Sequence, residues 1–314
     1  MRRVIISGAT GFIGSWLTTH FLTHTQAQIY TIVRPSSPRS SVIPRHSRIT
    51  PVLLEQTDPE AYVKNLPKAN VFFDMAWAGV RGQARYEEII QQQNIQRTIC
   101  NAYVAAELQC DVFVGCGSQA EYGVKSEEIT EETLPIPTTA YGRAKLEAGR
   151  EAAKIAQQAN MRFVWPRIFS VYGQRDAEDT LIMTTLRKMI VEEKIDFGPC
   201  TQNWDYLYAE DAVAALRFLA MCPQAQGIFN VASGQTHSLR WFLETMRKVT
   251  KSRSELCYDV LPSSKAIVGF SADVHKLADL GWRPEIPFTV GIKRLYEALK
   301  EVGNEKSECS GANL

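Results

Sequence analysis

The chain predicts an α/β fold, a doubly wound parallel sheet with a smaller mixed α/β C-terminal lobe, and three observations carry that prediction. Over roughly the first 165 residues, short β-branched runs alternate with longer amphipathic stretches, which is the pattern of βαβ units. The strands read as continuous apolar runs rather than alternations, so both of their faces are buried, as helices on both sides of a sheet require. At 314 residues the chain is longer than a typical single domain, and its rhythm changes after Gly173.

Strands are expected at Val4–Ser7, Ile29–Val33, Pro51–Leu54, Val71–Met75, Val112–Gly115 and Arg162–Pro166, with helices at Phe12–Thr23, Tyr86–Leu108 and Tyr141–Ala159. Residues 1–173 thus form a Rossmann-like lobe. Beyond it come a helical segment at Asp179–Glu193, an irregular stretch rich in Gly, Pro and Trp at Asp196–Asp205, and helices at Ala209–Met221, Leu239–Lys251 and Thr289–Val302. Residues 174–302 read mainly as a second lobe that binds substrate, with a segment of about 205–235 returning to the first. Gly303–Leu314 are small and polar with no apolar periodicity, and are expected to be a disordered tail.

Composition excludes several classes. Hydrophobic residues make up 45% and charged residues 22%, as in ordinary globular domains. A net charge of +1 offers no general attraction to nucleic acid or to an anionic membrane. The seven cysteines show neither the CxxC spacing of a zinc site nor the density of a disulfide scaffold, so no metal is expected and the thiols read as reduced. The apolar run after Arg2-Arg3 is broken at once by Gly8, and no stretch approaches the ~20 apolar residues of a membrane span, so a cytoplasmic location is expected.

Gly8-Ala9-Thr10-Gly11-Phe12-Ile13-Gly14 follows the first strand and opens the first helix, the context of a phosphate-binding loop. Gly8 permits a tight turn, Gly11 admits a pyrophosphate to the backbone, and Gly14 lets the helix lie on the strand. The helix N-terminus adds free N–H groups and partial positive charge. Arg34 closes the second strand, where the adenosine ribose of a dinucleotide would sit, with Ser36, Ser37 and Arg39 close behind. A guanidinium there grips a 2′-phosphate, whereas an acid would repel it, so NADP(H) is the expected cofactor. A solvated loop arginine is the simpler alternative.

Tyr141 and Lys145 are four residues apart and share one helix face. A ketone reduction needs a proton donor, and a cation beside a phenol stabilises its phenolate. The same pair also describes an ordinary surface contact, and it gains meaning from its company. Gly8–Gly14, Ser118 within Gly117-Ser-Gln-Ala-Glu-Tyr-Gly123, Tyr141 with Lys145, Arg167-Ile-Phe-Ser-Val-Tyr-Gly173 and Trp204-Asp-Tyr-Leu-Tyr-Ala-Glu-Asp211 follow one another as in the extended short-chain dehydrogenases. The chain resembles this family over about residues 1–300, most closely the 4-ketoreductases of nucleotide-activated sugars in deoxysugar biosynthesis.

The resemblance implies that Ser118 polarises a substrate carbonyl, that Tyr141 donates the proton, and that Lys145 tunes Tyr141 while holding the nicotinamide ribose. It places Gly8, Thr10, Gly11, Phe12, Ile13, Gly14, Arg34, Ser37, Ala76, Trp77, Ala78, Pro166 and Ile168 at the cofactor, Gln119, Ser170 and Trp204 at the substrate, Asn94 as a support or a packing residue, and Glu55–Asp58 beside the adenine. A nucleotide-diphosphate sugar as substrate and a homodimer through the helices at 86–108 and 141–159 are also implied.

Departures narrow the activity. Related 4,6-dehydratases carry Asp and Glu after the catalytic Ser or Thr, and here Gln119 and Ala120 cannot exchange a proton at neutral pH. Related 3,5-epimerase/reductases have a Cys at the Ala120 position, and Cys116 instead reads as a strand-end core thiol. Ser170 and Trp204 replace an Asn and an Arg that contact the substrate diphosphate, leaving Arg187, Lys188, Arg240 and Arg283 as candidates for that task. A 4-epimerase, a reductase of a non-sugar ketone and a non-catalytic NADP sensor stay open as alternatives.

Overall fold

The computed structural model describes residues 2–54, 59–262 and 271–311. Its main sheet is built from β1 (Arg3–Ser7), β2 (Gln28–Val33), β3 (Ile49–Leu53), β4 (Val71–Asp74), β5 (Val112–Val114), β6 (Gly117–Ser118), β7 (Arg162–Ile168) and a later strand at Gly227–Val231. Helices α1 (Phe12–His24), α2 (Pro59–Asn65), α3 (Glu88–Glu107) and α4 (Ala140–Gln158) follow β1, β3, β4 and β6 respectively.

The order across the sheet is β3-β2-β1-β4-β5-β7 and then the Gly227–Val231 strand, with β6 pairing β7 separately, and every pairing is parallel. Chain order reverses between β1 and β4, and a crevice opens at such a switch point beyond the strand ends. Two apolar layers flank the sheet. Val4, Ile6, Val71, Phe73 and Val114 pack with Leu17 and Phe21 of α1 on one face. Ile5, Phe72, Phe113 and Phe163 pack with Ala102, Ala105, Ala148 and Ala152 of α3 and α4 on the other. Burial on both faces is why these strands read as unbroken apolar runs.

After β7 the chain forms β8 (Ser170–Tyr172), α5 (Leu181–Ile190), β9 (Ile195–Asp196), β10 (Asn203–Tyr208) and α6 (Ala209–Met221). Next come β11 (Gly227–Val231), β12 (Thr236–Ser238), α7 (Leu239–Thr250), β13 (Leu256–Cys257), α8 (His275–Asp279) and α9 (Phe288–Gly311). Helix α6 joins the first apolar layer, while β8, β10 and β12 make a small mixed sheet covered by α5, α7 and α9 around Tyr172, Leu186, Phe242 and Ile292.

Two expectations need correction. The end of the stretch expected to be irregular, Asp196–Asp205, enters β10, whose strand pairs β8 and β12. The last helix also does not stop at Val302 but continues to Gly311, so most of the expected tail is helical. The segment has no apolar stripe to announce this extension, and only Glu305, Lys306 and Glu308 favour a helix locally. Glu55–Asp58 lie outside the described residues.

Candidate active site

The glycine loop joins β1 to α1 at the switch point of the sheet. Gly8 has φ +66°, and a Cβ on it would lie 2.6 Å from the Ala76 backbone nitrogen, so only glycine lets the β1 and β4 ends approach this closely. A Cβ on Gly14 would lie 2.2 Å from the Gly8 carbonyl oxygen, which is how α1 comes to rest on its own turn. Gly11 caps α1 with no side-chain acceptor, and no acid stands in the first turn. The first-turn N–H groups, those of Phe12, Ile13 and Gly14, therefore face the crevice as an anion cradle beside Thr10. These residues fit a dinucleotide pyrophosphate.

The β4 end is held from below. Ser7 Oγ donates to Asp74 Oδ1 at 2.7 Å and accepts from the Ala76 N–H at 3.2 Å, while Asn101 Nδ2 donates to the same Asp74 oxygen at 2.8 Å. Asn94 is fully buried and bonds Ala78 twice, accepting its N–H at 3.0 Å and donating to its carbonyl at 2.8 Å. Gln91 accepts from the Trp77 indole at 2.9 Å and donates to the carbonyls of Gly79 and Ala84. Asn94 and Gln91 thus fix the segment Trp77–Ala84 onto α3, and Asn94 acts as a backbone support.

Ser118, Tyr141 and Lys145 come together because α4 packs closely on the turn after β6. A Cβ on Gly142 would lie 2.4 Å from the Ala120 carbonyl oxygen, so the first turn of α4 rests against that turn. One turn on, Lys145 Nζ donates to the Cys116 carbonyl at 2.6 Å and lies 3.6 Å from the centre of the Trp77 ring and 5.8 Å from that of Tyr141. The three candidates are 8%, 9% and 1% exposed respectively, so all three side chains are largely shielded from solvent. Ser118 Oγ accepts from the Ala120 N–H at 3.2 Å, leaving its own proton for another acceptor. Gln119 sits at the start of the same turn.

A buried ion pair sets this turn. The Glu121 carboxylate takes the Ser118 N–H at 2.9 Å, the Trp165 indole N–H at 3.0 Å and Arg167 Nε at 2.7 Å, and both charged side chains are essentially inaccessible. Burial opposes the Arg167 charge, but Glu121 and Tyr122 outweigh it and hold the guanidinium above its ordinary pKa. Burial pushes the Cys116 thiol up against the opposing Lys145 charge, so it stays protonated as a packing residue should.

Other expected residues separate from this centre. Arg34 is exposed at the end of β2, and Ser37 donates its N–H to the Arg34 carbonyl across a tight turn. Pro166 and Ile168 lie at the end of β7, opposite Phe229 and Val231. Ser170 pairs with Tyr206 in the small three-stranded sheet, and Trp204 packs on Tyr206 at 6.3 Å. Arg187 is paired with Glu178, and Arg240 with Asp259 while stacked on Tyr258. Lys188 and Arg283 are exposed. Asp205 and Asp211 hold backbone N–H groups of Ser233, Gly234, Glu285 and Ile286, a structural task.

Arg85, absent from the sequence reading, places its guanidinium 4.7 Å from the Tyr141 ring centre. No sequence signal marks it, since it stands in a single 3-10 turn, Gly82–Tyr86, without a motif. Among the described residues no cluster of three or more His, Cys, Asp or Glu could hold a metal, and no helix is long and apolar enough to cross a membrane.

A glycine cradle at the switch point, facing a buried Ser/Tyr/Lys set, defines a short-chain dehydrogenase/reductase of the extended type. The chain belongs to the NAD dependent epimerase/dehydratase family, whose model matches residues 4–232. It is 25% identical over 227 residues to the dTDP-4-dehydro-6-deoxyglucose reductase of Escherichia coli, covering 66% of this chain and 67% of that one. The UDP-N-acetylglucosamine 4-epimerase from Methanobrevibacter ruminantium M1, solved with UDP-N-acetylmuramic acid, has the same fold with a TM-score of 0.87 at 19% identity, over 96% of this chain and 98% of that one. The UDP-glucuronic acid 4-epimerase from Bacillus cereus, solved with NAD, aligns with a TM-score of 0.81 at 20% identity, over 96% and 99%.

Proposed function

We propose that the protein is an NADPH-dependent reductase of a keto sugar carried on a nucleotide diphosphate, acting at C4 of a 4-keto-6-deoxyhexose. The observation that carries this reading is the buried Ser118, Tyr141 and Lys145 set standing beside a turn in which Gln119 and Ala120 offer no further acid or base. Bound NADPH supplies the hydride. Ser118 Oγ, one of whose two lone pairs accepts the Ala120 N–H, donates its proton as a hydrogen bond to the substrate carbonyl oxygen. Tyr141 transfers its phenolic proton to that same oxygen as the carbonyl carbon is reduced. One of the three Lys145 N–H donors is bound to Cys116, which leaves two for the phenol and the nicotinamide ribose.

The preference for NADPH rests on Arg34, exposed at the end of β2 with no acid at that position. A homodimer through α3 and α4 belongs to the same reading. Tyr103 on the outer side of α3 is 51% exposed, as a contact residue of a separated protomer would be.

The test is direct. Purified protein mixed with a dTDP-4-keto-6-deoxyhexose should oxidise NADPH in equal proportion to sugar reduced. A 4-epimerase would interconvert NDP-hexoses with no net change at 340 nm, and that outcome would replace the reductase reading.

A further inference from the structure

Helix α3 carries a second arginine toward the cofactor crevice. Arg97 stands one turn beyond Asn94 and donates from one terminal nitrogen to Asn94 Oδ1 at 2.8 Å, on the carboxamide that holds Ala78. Its Nε is buried and finds no hydrogen-bond partner among the described residues. Burial lowers the pKa of this guanidinium, the Asp74 carboxylate opposes that fall, and the charge of Arg34 adds to it. Asp74 already receives Ser7 and Asn101 on one oxygen, so it is a shared counter-charge rather than a dedicated partner.

Arg97 therefore lies within electrostatic reach of both Asp74, at the end of β4, and Arg34, at the end of β2. Those two strands flank β1 in the sheet, and β1 delivers the glycine loop. A dinucleotide whose pyrophosphate rests on that loop extends its adenosine ribose over this same edge. Two guanidinium groups that repel each other, one with a buried and unused donor, are an arrangement that a bound dianion relieves.

We propose that Arg97 is a second ligand of the cofactor phosphate, closing with Arg34 on the 2′-phosphate of NADP(H) from the opposite side. The inference rests on the NADPH reading above and adds to it a residue from another element. It assigns to Arg97 a recognition role that Arg34, exposed on its loop, shares.

Equilibrium binding by fluorescence titration of the intact protein tests this, using NADPH, NADH and the fragments 2′,5′-ADP and 5′-AMP. Arg97→Gln should weaken NADPH and 2′,5′-ADP about tenfold while changing NADH and 5′-AMP less than twofold, and Arg97→Lys should restore part of the loss. The ligand-free Arg97→Gln protein should unfold no earlier than the wild type, because like charges are relieved, yet gain less thermal stability from added NADPH. Equal losses for NADPH and NADH would place Arg97 on the adenine or the pyrophosphate and overturn the proposal, as would an unchanged NADPH affinity. A wild type that binds both cofactors equally would refute the NADPH reading itself, before any variant is compared.

Discussion

Tyr141 concentrates the proposed chemistry in a single oxygen atom. Tyr141→Phe keeps the ring that packs at right angles to Trp77, 6.1 Å between centres, and removes only the proton donor. Turnover should fall by ~10²–10⁴-fold with cofactor affinity nearly unchanged, since general acid catalysis acts in the transition state. A variant keeping more than about a tenth of wild-type turnover, with hydride transfer shown to be rate-limiting by a deuteride isotope effect, would remove Tyr141 from the acid role. Glu121→Gln probes the support behind it. The substitution leaves Arg167 charged and buried without its counter-ion, a change that typically costs ~3–5 kcal/mol. Urea unfolding should show that loss, and a change below about 1 kcal/mol would mean that the pair does not set the turn. At this scale the sequence was most readable where one element holds all the participants, as Tyr141 and Lys145 do on α4. Arg85 comes to Tyr141, and Arg97 within electrostatic reach of Asp74 and Arg34, by tertiary packing of the 3-10 turn Gly82–Tyr86 and of α3, and no spacing rule could announce them.

Elements were readable in proportion to their length and to how evenly they are buried. Strands β1, β2, β4 and β7, of four to seven residues, and helices α1, α3, α4 and α6 stand out as apolar runs or stripes. Strands β6, β8, β9, β12 and β13 have two or three residues each, too few to show a period, and they exist because a neighbour offers backbone partners. The packing of α1 on α6 carries a pH dependence of its own. His20 Nε2 accepts the Arg217 Nε–H at 2.9 Å, which requires a neutral ring. Burial, with help from His24 and Arg217, lowers its pKa to about 4. An unfolded histidine titrates near ~6.5, so the unfolded chain takes up this proton first. The stability contributed by neutral His20 is thus complete above ~6.5 and is lost as pH falls from there toward about 4. Thermal unfolding midpoints should drop between pH 7 and 5 in the wild type and drop less in His20→Gln, which retains an acceptor. Identical pH slopes for the two proteins would show that this contact carries no such linkage.

At the scale of the whole molecule, the main sheet carries both the glycine loop and the turn that follows Ser118, and the proposed reaction class depends on what that turn holds. Family membership alone spans epimerases, dehydratases and reductases on one fold, so the fold cannot choose among them. On the proposed reading, the choice rests on which proton-transfer groups stand near Ser118 besides Tyr141. Eliminating water from a hexose needs an acid to protonate the leaving hydroxyl and a base to take the neighbouring carbon-bound proton. In the turn that follows Ser118 those positions hold an amide and a methyl group, and the one carboxylate of that turn, Glu121, is buried and committed to Arg167, Trp165 and the Ser118 backbone. Incubation with dTDP-glucose and NADP⁺ should therefore yield no 4-keto-6-deoxy product, even over many enzyme equivalents of time. Appearance of the alkali-induced absorbance of such a sugar would mean that some other residue supplies the acid and base, and the assignment of the crevice to reduction would have to be abandoned.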